Sequence, residues 1–161
     1  MEEREFIRLM RNENRDKAHH LMQKVSELRD KRDAVNVEVK EKKKERQVLY
    51  DERDKLSDEK GELVKKLSEV EGDGKAEDKV LSDIYTLDKK AQSVQKDARD
   101  KHIEVKELAK QSQEYHVEML ATRMMGKQAH HTADQYHEQL KTIQADIVEL
   151  RKSLKRLRYQ R

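Results

Sequence analysis

The sequence predicts an all-α fold, a long antiparallel two-helix coiled-coil hairpin, and three observations lead to this prediction. An apolar repeat with a period of about 3.5 residues runs through both halves of the chain, which is typical of helices that supercoil around a partner helix. The chain contains no proline, a residue that costs about 3 kcal/mol inside a helix. Its only strong helix breaker is the segment Glu71-Gly72-Asp73-Gly74.

The first helix is predicted from about residue 2 to residue 70. We call the line of repeat positions along each helix the seam. Several seam positions in this helix are basic, and such side chains bury their methylene stems while their charges stay in water. Basic positions of this kind weaken a seam but help to set its register. From residue 21 onward the seam positions are Leu21, Val25, Leu28, Arg32, Val35, Val39, Lys42, Arg46, Leu49, Arg53, Leu56, Lys60, Leu63, Leu67 and Val70.

The turn between the helices is predicted at about residues 71–76. Two glycines within three residues each weaken a helix by about 1 kcal/mol and permit left-handed backbone conformations. A short connection favours two antiparallel neighbouring helices, in which residue i faces roughly residue 147 − i. This register places Leu56 opposite Ala91 and Leu21 opposite Gly126, so that large residues face small ones.

The second helix is predicted from about residue 77 to residue 160, and its repeat never breaks. The predicted register leaves residues 148–161 beyond the start of the first helix, as a basic C-terminal overhang. The two helices would form one domain, a single coiled-coil rod over residues 1–161. The seam positions from residue 84 are Ile84, Leu87, Ala91, Val94, Ala98, Lys101, Val105, Leu108, Ser112, Tyr115, Met119, Thr122, Gly126, Ala129, Ala133, Tyr136, Leu140, Ile143, Ile147, Leu150, Leu154 and Leu157.

The composition excludes several classes of protein. With 44% charged and 34% hydrophobic residues, the chain has too few apolar side chains for a wide core but enough for a narrow seam. The absence of cysteine excludes disulfides and fits a reducing compartment, so we expect a cytoplasmic protein. The first ten residues lack the apolar stretch of a signal peptide, and no run approaches the roughly 20 apolar residues of a membrane span.

Three segments resemble a family of archaeal coiled-coil proteins: LRDKRDAVNVEVKEKKKERQVLYDERDKL (28–56), DKKAQSVQKDARDKHIEVKELAKQSQEYHVEML (88–120) and ADQYHEQLKTIQADIVELRKSLKRLR (133–158). That family is distantly similar to the yeast nuclear segregation protein that confers brefeldin-A resistance and associates with polyribosomes. The resemblance covers about two-thirds of the chain and implies a coiled-coil protein associated with ribosomes or RNA. The family's middle section is reduced here to about residues 68–80, so the resemblance implies no function of that section for this chain.

No catalytic constellation is predicted. Some members of the family carry a phosphoserine-phosphatase label, but such enzymes use an aspartate nucleophile at the end of a strand, and this sequence has neither a strand pattern nor the corresponding motif. Its carboxylates lie on exposed helix faces, where burial cannot tune their pKa values. A phosphate-binding glycine loop is also absent. We therefore expect a protein without enzymatic activity, small-molecule substrate or cofactor.

The basic overhang is the strongest functional candidate. Three interpretations stay open: complementarity with the helix dipole, contact with RNA phosphates, or binding to an anionic membrane surface. The dipole accounts for two or three basic residues, and the absence of Trp and Phe nearby argues against a membrane. A second basic cluster, with Lys42, Lys43 and Lys44, lies in the first helix. The basic residues of the overhang are Arg151, Lys152, Lys155, Arg156, Arg158 and Arg161.

Two further groups of side chains are weaker candidates. Met124 and Met125 lie partly outside the seam and could contact another molecule, or they could belong to a locally broad seam. The predicted register brings the pair His19-His20 near the level of His130-His131. Neutral imidazoles can bind Zn²⁺, but the spacings lack the i, i+4 pair typical of a helical zinc site, so we expect no metal.

These observations lead to a functional hypothesis: a non-enzymatic coiled-coil protein that binds RNA or the ribosome through phosphate contacts at its basic helix end. The alternative is a structural scaffold that self-associates through its seam and organises other proteins. The basic overhang distinguishes the two, because a scaffold does not require it whereas an RNA-binding protein would lose affinity without it.

Overall fold

The computed structural model describes residues 2–160, and these form two long helices with no strand among them. Helix α1 spans Glu2–Glu69 and helix α2 spans Gly74–Tyr159. The helices pack against each other in antiparallel orientation, which confirms the predicted all-α coiled-coil hairpin. Neither helix, within residues 2–160, contains a stretch both long and apolar enough to cross a bilayer.

The connection between the helices is shorter than the sequence indicates, because α2 begins at Gly74 and not near residue 77. Gly72 has a positive φ of 94°, which other residues rarely adopt. The Asp73 amide donates to the Val70 carbonyl at 3.0 Å and closes the turn. The Asp73 carbonyl then accepts the first hydrogen bond of α2, from the Glu77 amide at 2.8 Å. One left-handed glycine therefore reverses the chain and allows the helix to restart immediately.

The predicted seam is the buried part of the molecule. Every seam position from Leu21 to Val70 in the first half, and from Ile84 to Ile147 in α2, is buried or half-buried. Leu21 lies opposite Gly126, where an added Cβ would be 3.5 Å from the Leu21 Cβ. The most deeply buried apolar residues are Ile7, Ala18, Val25, Leu28, Leu56, Val94, Ala98, Val105, Met119, Ala129 and Ala133.

The contacts divide the chain into two units. The first combines the residues up to Lys31 with those from Glu114 onward. Its core is formed by Val25, Leu28 and Met119, with Tyr115 packed against them. Polar contacts between the helices include Arg4 with Gln144 at 2.7 Å and Arg11 with His137 at 3.4 Å. The residue numbers in both pairs add up to 148, within one of the predicted register.

The second unit spans Arg32–Gln113 and contains the turn. Leu56 and Ala91 line the same groove between its helices, as the predicted pairing requires. Arg46 contacts the His102 ring at 2.9 Å, and Lys60 forms an ion pair with Asp88 at 2.7 Å. The residue numbers of these pairs also add up to 148. Basic seam residues of α1 therefore place their polar ends against α2 at the edges of the seam.

Candidate nucleic-acid interface

The described part of the overhang, residues 148–160, is an exposed segment at the end of helix α2. Every described residue of this segment is exposed, whereas Ile147, the seam residue just before it, is half-buried. The hairpin register places Ile147 level with the start of α1. Residues 148–160 therefore have no α1 residue opposite them among the residues that the structure describes.

Basic side chains cover two adjoining sides of the overhang. Three of them recur at intervals of four and three residues, which places them on one side of the helix. A second set with the same spacing occupies the neighbouring side and ends in Tyr159, whose ring is exposed. Arg161 lies outside the described residues. The first set is Arg151, Lys155 and Arg158, and the second is Lys152, Arg156 and Tyr159.

The charged side chains of the overhang are almost all positive. The last acidic residue in the sequence is Glu149, which accepts a hydrogen bond from the Lys152 ammonium at 3.4 Å. Arg156 and Arg158 lie in the last turn of α2, where cations complement the helix dipole. The dipole acts only within the last turn, so it does not account for Arg151, Lys152 and Lys155. The overhang thus offers cations beyond those that its own helix uses.

Three leucines continue the seam onto the overhang without a partner. Leu150, Leu154 and Leu157 are 64%, 58% and 61% exposed, respectively. They occupy the same repeat positions as the buried seam residues that precede them. The apolar repeat of α2 therefore continues beyond the last residue that α1 covers.

The second basic cluster is partly neutralised within the hairpin. Lys42 lies 3.4 Å from Glu104 of α2 and 3.6 Å from Glu45. Lys101 lies 2.7 Å from Glu45 and 3.6 Å from Glu104. The four side chains form an alternating network of charges. Of the predicted basic cluster, Lys42 is half-buried, whereas Lys43 and Lys44 are exposed.

This network shifts the titration of two groups. The Lys101 ammonium, which donates a hydrogen bond to Glu45, lowers the pKa of the Glu45 carboxyl below its ordinary value of 4.5. The same bond raises the pKa of Lys101 above its ordinary value of 10.5. The sequence gives one signal for this network: in the antiparallel register, Glu45 and Lys101 have opposite charges at the same level.

We expect the contribution of Glu45 to stability to depend on pH. A carboxylate whose pKa is lowered on folding stabilises the protein above its unfolded pKa, and this stabilisation disappears as the pH falls through the lowered value. Glu45→Gln should therefore lower the free energy of unfolding at neutral pH, by a small amount because the pair is partly exposed. Urea titrations at several pH values should show the difference from the unmutated protein shrinking at acidic pH.

The control for this titration is Glu41→Gln, which removes an exposed carboxylate from the same helix. A pH dependence of the same size in both variants would show that the network has no specific effect.

The raised pKa of Lys101 predicts the converse at high pH: its stabilisation is complete below pH 10.5 and is lost as the pH rises through the raised value.

The methionines differ in burial as their positions in the repeat predict. Met119 is buried in the core of the first unit, whereas Met124 and Met125 are exposed. Their side chains are accessible to another molecule. Met22 of α1 lies at the same level and packs beside Gly126. A Cβ added to Gly126 would be 3.4 Å from the Met22 Sδ.

Several histidines make contacts with neighbouring side chains. His19 and His130 line one groove between the helices, and His130 lies 3.6 Å from Asp134. His19 and His131 contact glutamines one turn away, Gln23 and Gln135. Within residues 2–160, no three His, Asp or Glu side chains converge on a point where they could hold a metal ion.

Comparisons of this chain with protein-family models, with curated proteins and with solved structures find no match.

Proposed function

We propose that this protein is a non-enzymatic RNA-binding coiled coil that attaches to RNA or to ribosomal particles through the overhang. The observation that carries the proposal is the exposed helix end with basic residues on two sides and no acidic residue after Glu149. The resemblance to a family that is distantly similar to a polyribosome-associated yeast protein supports the same class of partner.

Phosphate contact suits this geometry. A regular helix with projecting Arg and Lys side chains can follow the phosphates of A-form RNA without reading its sequence. Tyr159, near the helix end, is exposed and could stack on an unpaired base. Lys43 and Lys44 offer further cations in the second unit. No Trp or Phe lies in the overhang, so it lacks the aromatic anchors that favour a membrane surface.

We expect RNA affinity to fall steeply with salt. Each neutralised phosphate releases counterions, and about three to five contacts would give a log–log slope of roughly −2 to −4. Changing four basic residues to glutamine should flatten this slope and release the protein from ribosomal fractions, with little change in helicity. The residues to change are Arg151, Lys155, Arg156 and Arg158. Filter binding at several salt concentrations and sedimentation through a sucrose gradient, with and without RNase, measure both effects.

The matched control removes the same charge from exposed positions elsewhere on α2, at Lys90, Lys96, Lys106 and Lys110. This control should keep most of the salt dependence. Equal losses in the two variants would mean that net charge, and not the overhang, governs binding. If the overhang variant stays with ribosomes at the same salt, the attachment lies elsewhere, and Lys43 with Lys44 or Met124 with Met125 would be tested next.

A second candidate function is that of a self-associating scaffold. The observation that favours it is the exposed seam residues of the overhang, because an RNA-binding helix has no need of three leucines in a row along one face. The two functions are compatible in one protein, since Lys152 and Arg156 lie on a different side of the overhang from the three leucines.

A further inference from the structure

The leucines of the overhang continue an interface that already exists. Up to Ile147 the seam of α2 is covered by α1, and the same repeat then runs on through Leu150, Leu154 and Leu157 with more than half of each side chain exposed. Contiguous exposed apolar surface of this kind marks interaction sites in soluble proteins. The continuous repeat indicates that the occupant is another helix.

The charges beside the leucines restrict which helix fits. Arg151, Lys155 and Arg158 each directly follow a leucine of the stripe, so they form a basic edge along one side of it. Charges that flank a coiled-coil seam select partners of opposite sign. Two overhangs packed against each other would bring their basic edges together, so the partner helix should carry apolar residues next to acidic ones.

The outer face of α1 near its start has this character. Phe6 and Leu9 are 58% and 65% exposed, although Ile7 between them is buried in the seam. Four acidic residues share the side of α1 that carries Phe6 and Leu9, as their spacing shows. We call these six residues the acidic face; its charged members are Glu2, Glu5, Glu13 and Asp16, all exposed.

Basic residues of the same segment lie on another side of α1. Arg4 contacts Gln144, and Arg11 contacts His137, both on α2. The acidic face therefore points away from α2 of its own chain. The two surfaces also match in length: residues 2–16 and residues 148–160 each span roughly 20 Å of helix at about 1.5 Å per residue.

We propose that the overhang docks onto the acidic face of a second copy of this chain. Leu150, Leu154 and Leu157 would pack on Phe6 and Leu9, and the basic edge would lie along the acidic residues. The overhang cannot make this contact within its own chain, because it extends past the start of α1. Each copy carries both surfaces, so the contact can form twice around a two-fold axis and close as a dimer. The dimer does not depend on RNA binding.

The first test is the mass of nuclease-treated protein at low ionic strength, measured by sedimentation equilibrium over a wide range of concentration. We expect a concentration-dependent rise from the monomer mass of 19.2 kDa to twice that value. Changing Leu150, Leu154 and Leu157 to alanine should hold the protein at the monomer mass with unchanged helicity. An unmutated protein that stays monomeric at every concentration overturns the proposal.

Charge reversal tests the specific pairing. One variant, called overhang-reversed, carries Arg151→Glu, Lys155→Glu and Arg158→Glu. The other, called face-reversed, carries Glu5→Lys, Glu13→Lys and Asp16→Lys. Each alone would bring like charges together at both contacts of the dimer and should remain monomeric. In a one-to-one mixture both contacts become complementary, so the dimer mass should return.

The charge-reversal experiment can contradict the proposed pairing. If the mixture stays monomeric, or if either variant dimerises by itself as well as the unmutated protein does, the pairing of the overhang with the acidic face is wrong. The leucine variant keeps every basic residue, so it should lose dimerisation while retaining the salt-dependent binding of RNA. Failure of the dimer and failure of RNA binding are thereby separate outcomes.

Discussion

Replacing Leu56 with alanine is expected to lower the free energy of unfolding by about 2–4 kcal/mol, which lies within the values measured for truncating a buried leucine that leaves a cavity. Leu56 is only 7% exposed and lies in the groove lined by Ala91 of the facing helix. A two-helix seam has few neighbours that could close around the lost volume. Urea denaturation followed by circular dichroism measures the effect.

The matched control is the same substitution at Leu81, which is 46% exposed and belongs to the same unit. Exposed positions usually change stability by no more than about 0.5 kcal/mol. Equal losses from Leu56→Ala and Leu81→Ala would show that Leu56 is not enclosed in solution. That result would contradict the intramolecular pairing of α1 with α2 in this unit.

Replacing Ala133 with leucine is expected to destabilise the first unit by about 1–3 kcal/mol, the usual cost of forcing extra methylenes into a packed site. Ala133 is completely buried, and the neighbouring seam residues Ala129 and Gly126 are also small. The helices therefore approach closely here, and a leucine can be accommodated only if they separate. Hydrogen exchange should show faster opening of both helices around this level.

The exposed Ala121 provides the control, since Ala121→Leu adds the same side chain to the outer surface of α2. Leucine and alanine have similar helix propensities, so the control should leave stability nearly unchanged. If Ala133→Leu were equally neutral, the small residues of this seam would not determine how closely the helices pack.

Much of the fold could be predicted because a coiled coil is encoded locally. A repeat of about 3.5 residues identifies both the helix and the face that it buries, and a short connection then leaves antiparallel packing as the simplest arrangement. The pairing of Leu21 with Gly126 follows from those two facts. The exact position of the turn could not be predicted in the same way. Two nearby glycines do not reveal which of them adopts the left-handed conformation, and it is the conformation of Gly72 that lets α2 begin at Gly74.

The candidate site was predicted less completely. Its basic residues are apparent from the sequence alone, but whether they are free to bind phosphate depends on the side chains that face them on the other helix. Lys42 and Lys43 are adjacent in sequence, yet only Lys42 meets Glu104 of the facing helix. The acidic face of α1 was missed, because a short apolar pair such as Phe6 and Leu9 has no distinctive pattern until the buried side of the helix is known.

The sequence by itself determined that the chain is helical, that its helices pair along a seam, and that its C-terminal end is basic, because each of these properties depends on local order and composition. The predicted register already ended the covered seam at residue 147, and only the tertiary structure gave the exposure of the seam residues on either side of that point. Leu140 and Leu154 occupy equivalent positions in the repeat, but Leu140 is half-buried and Leu154 is 58% exposed. Burial requires a second helix at the same level, and the register of the hairpin places α1 beside the first leucine and not beside the second.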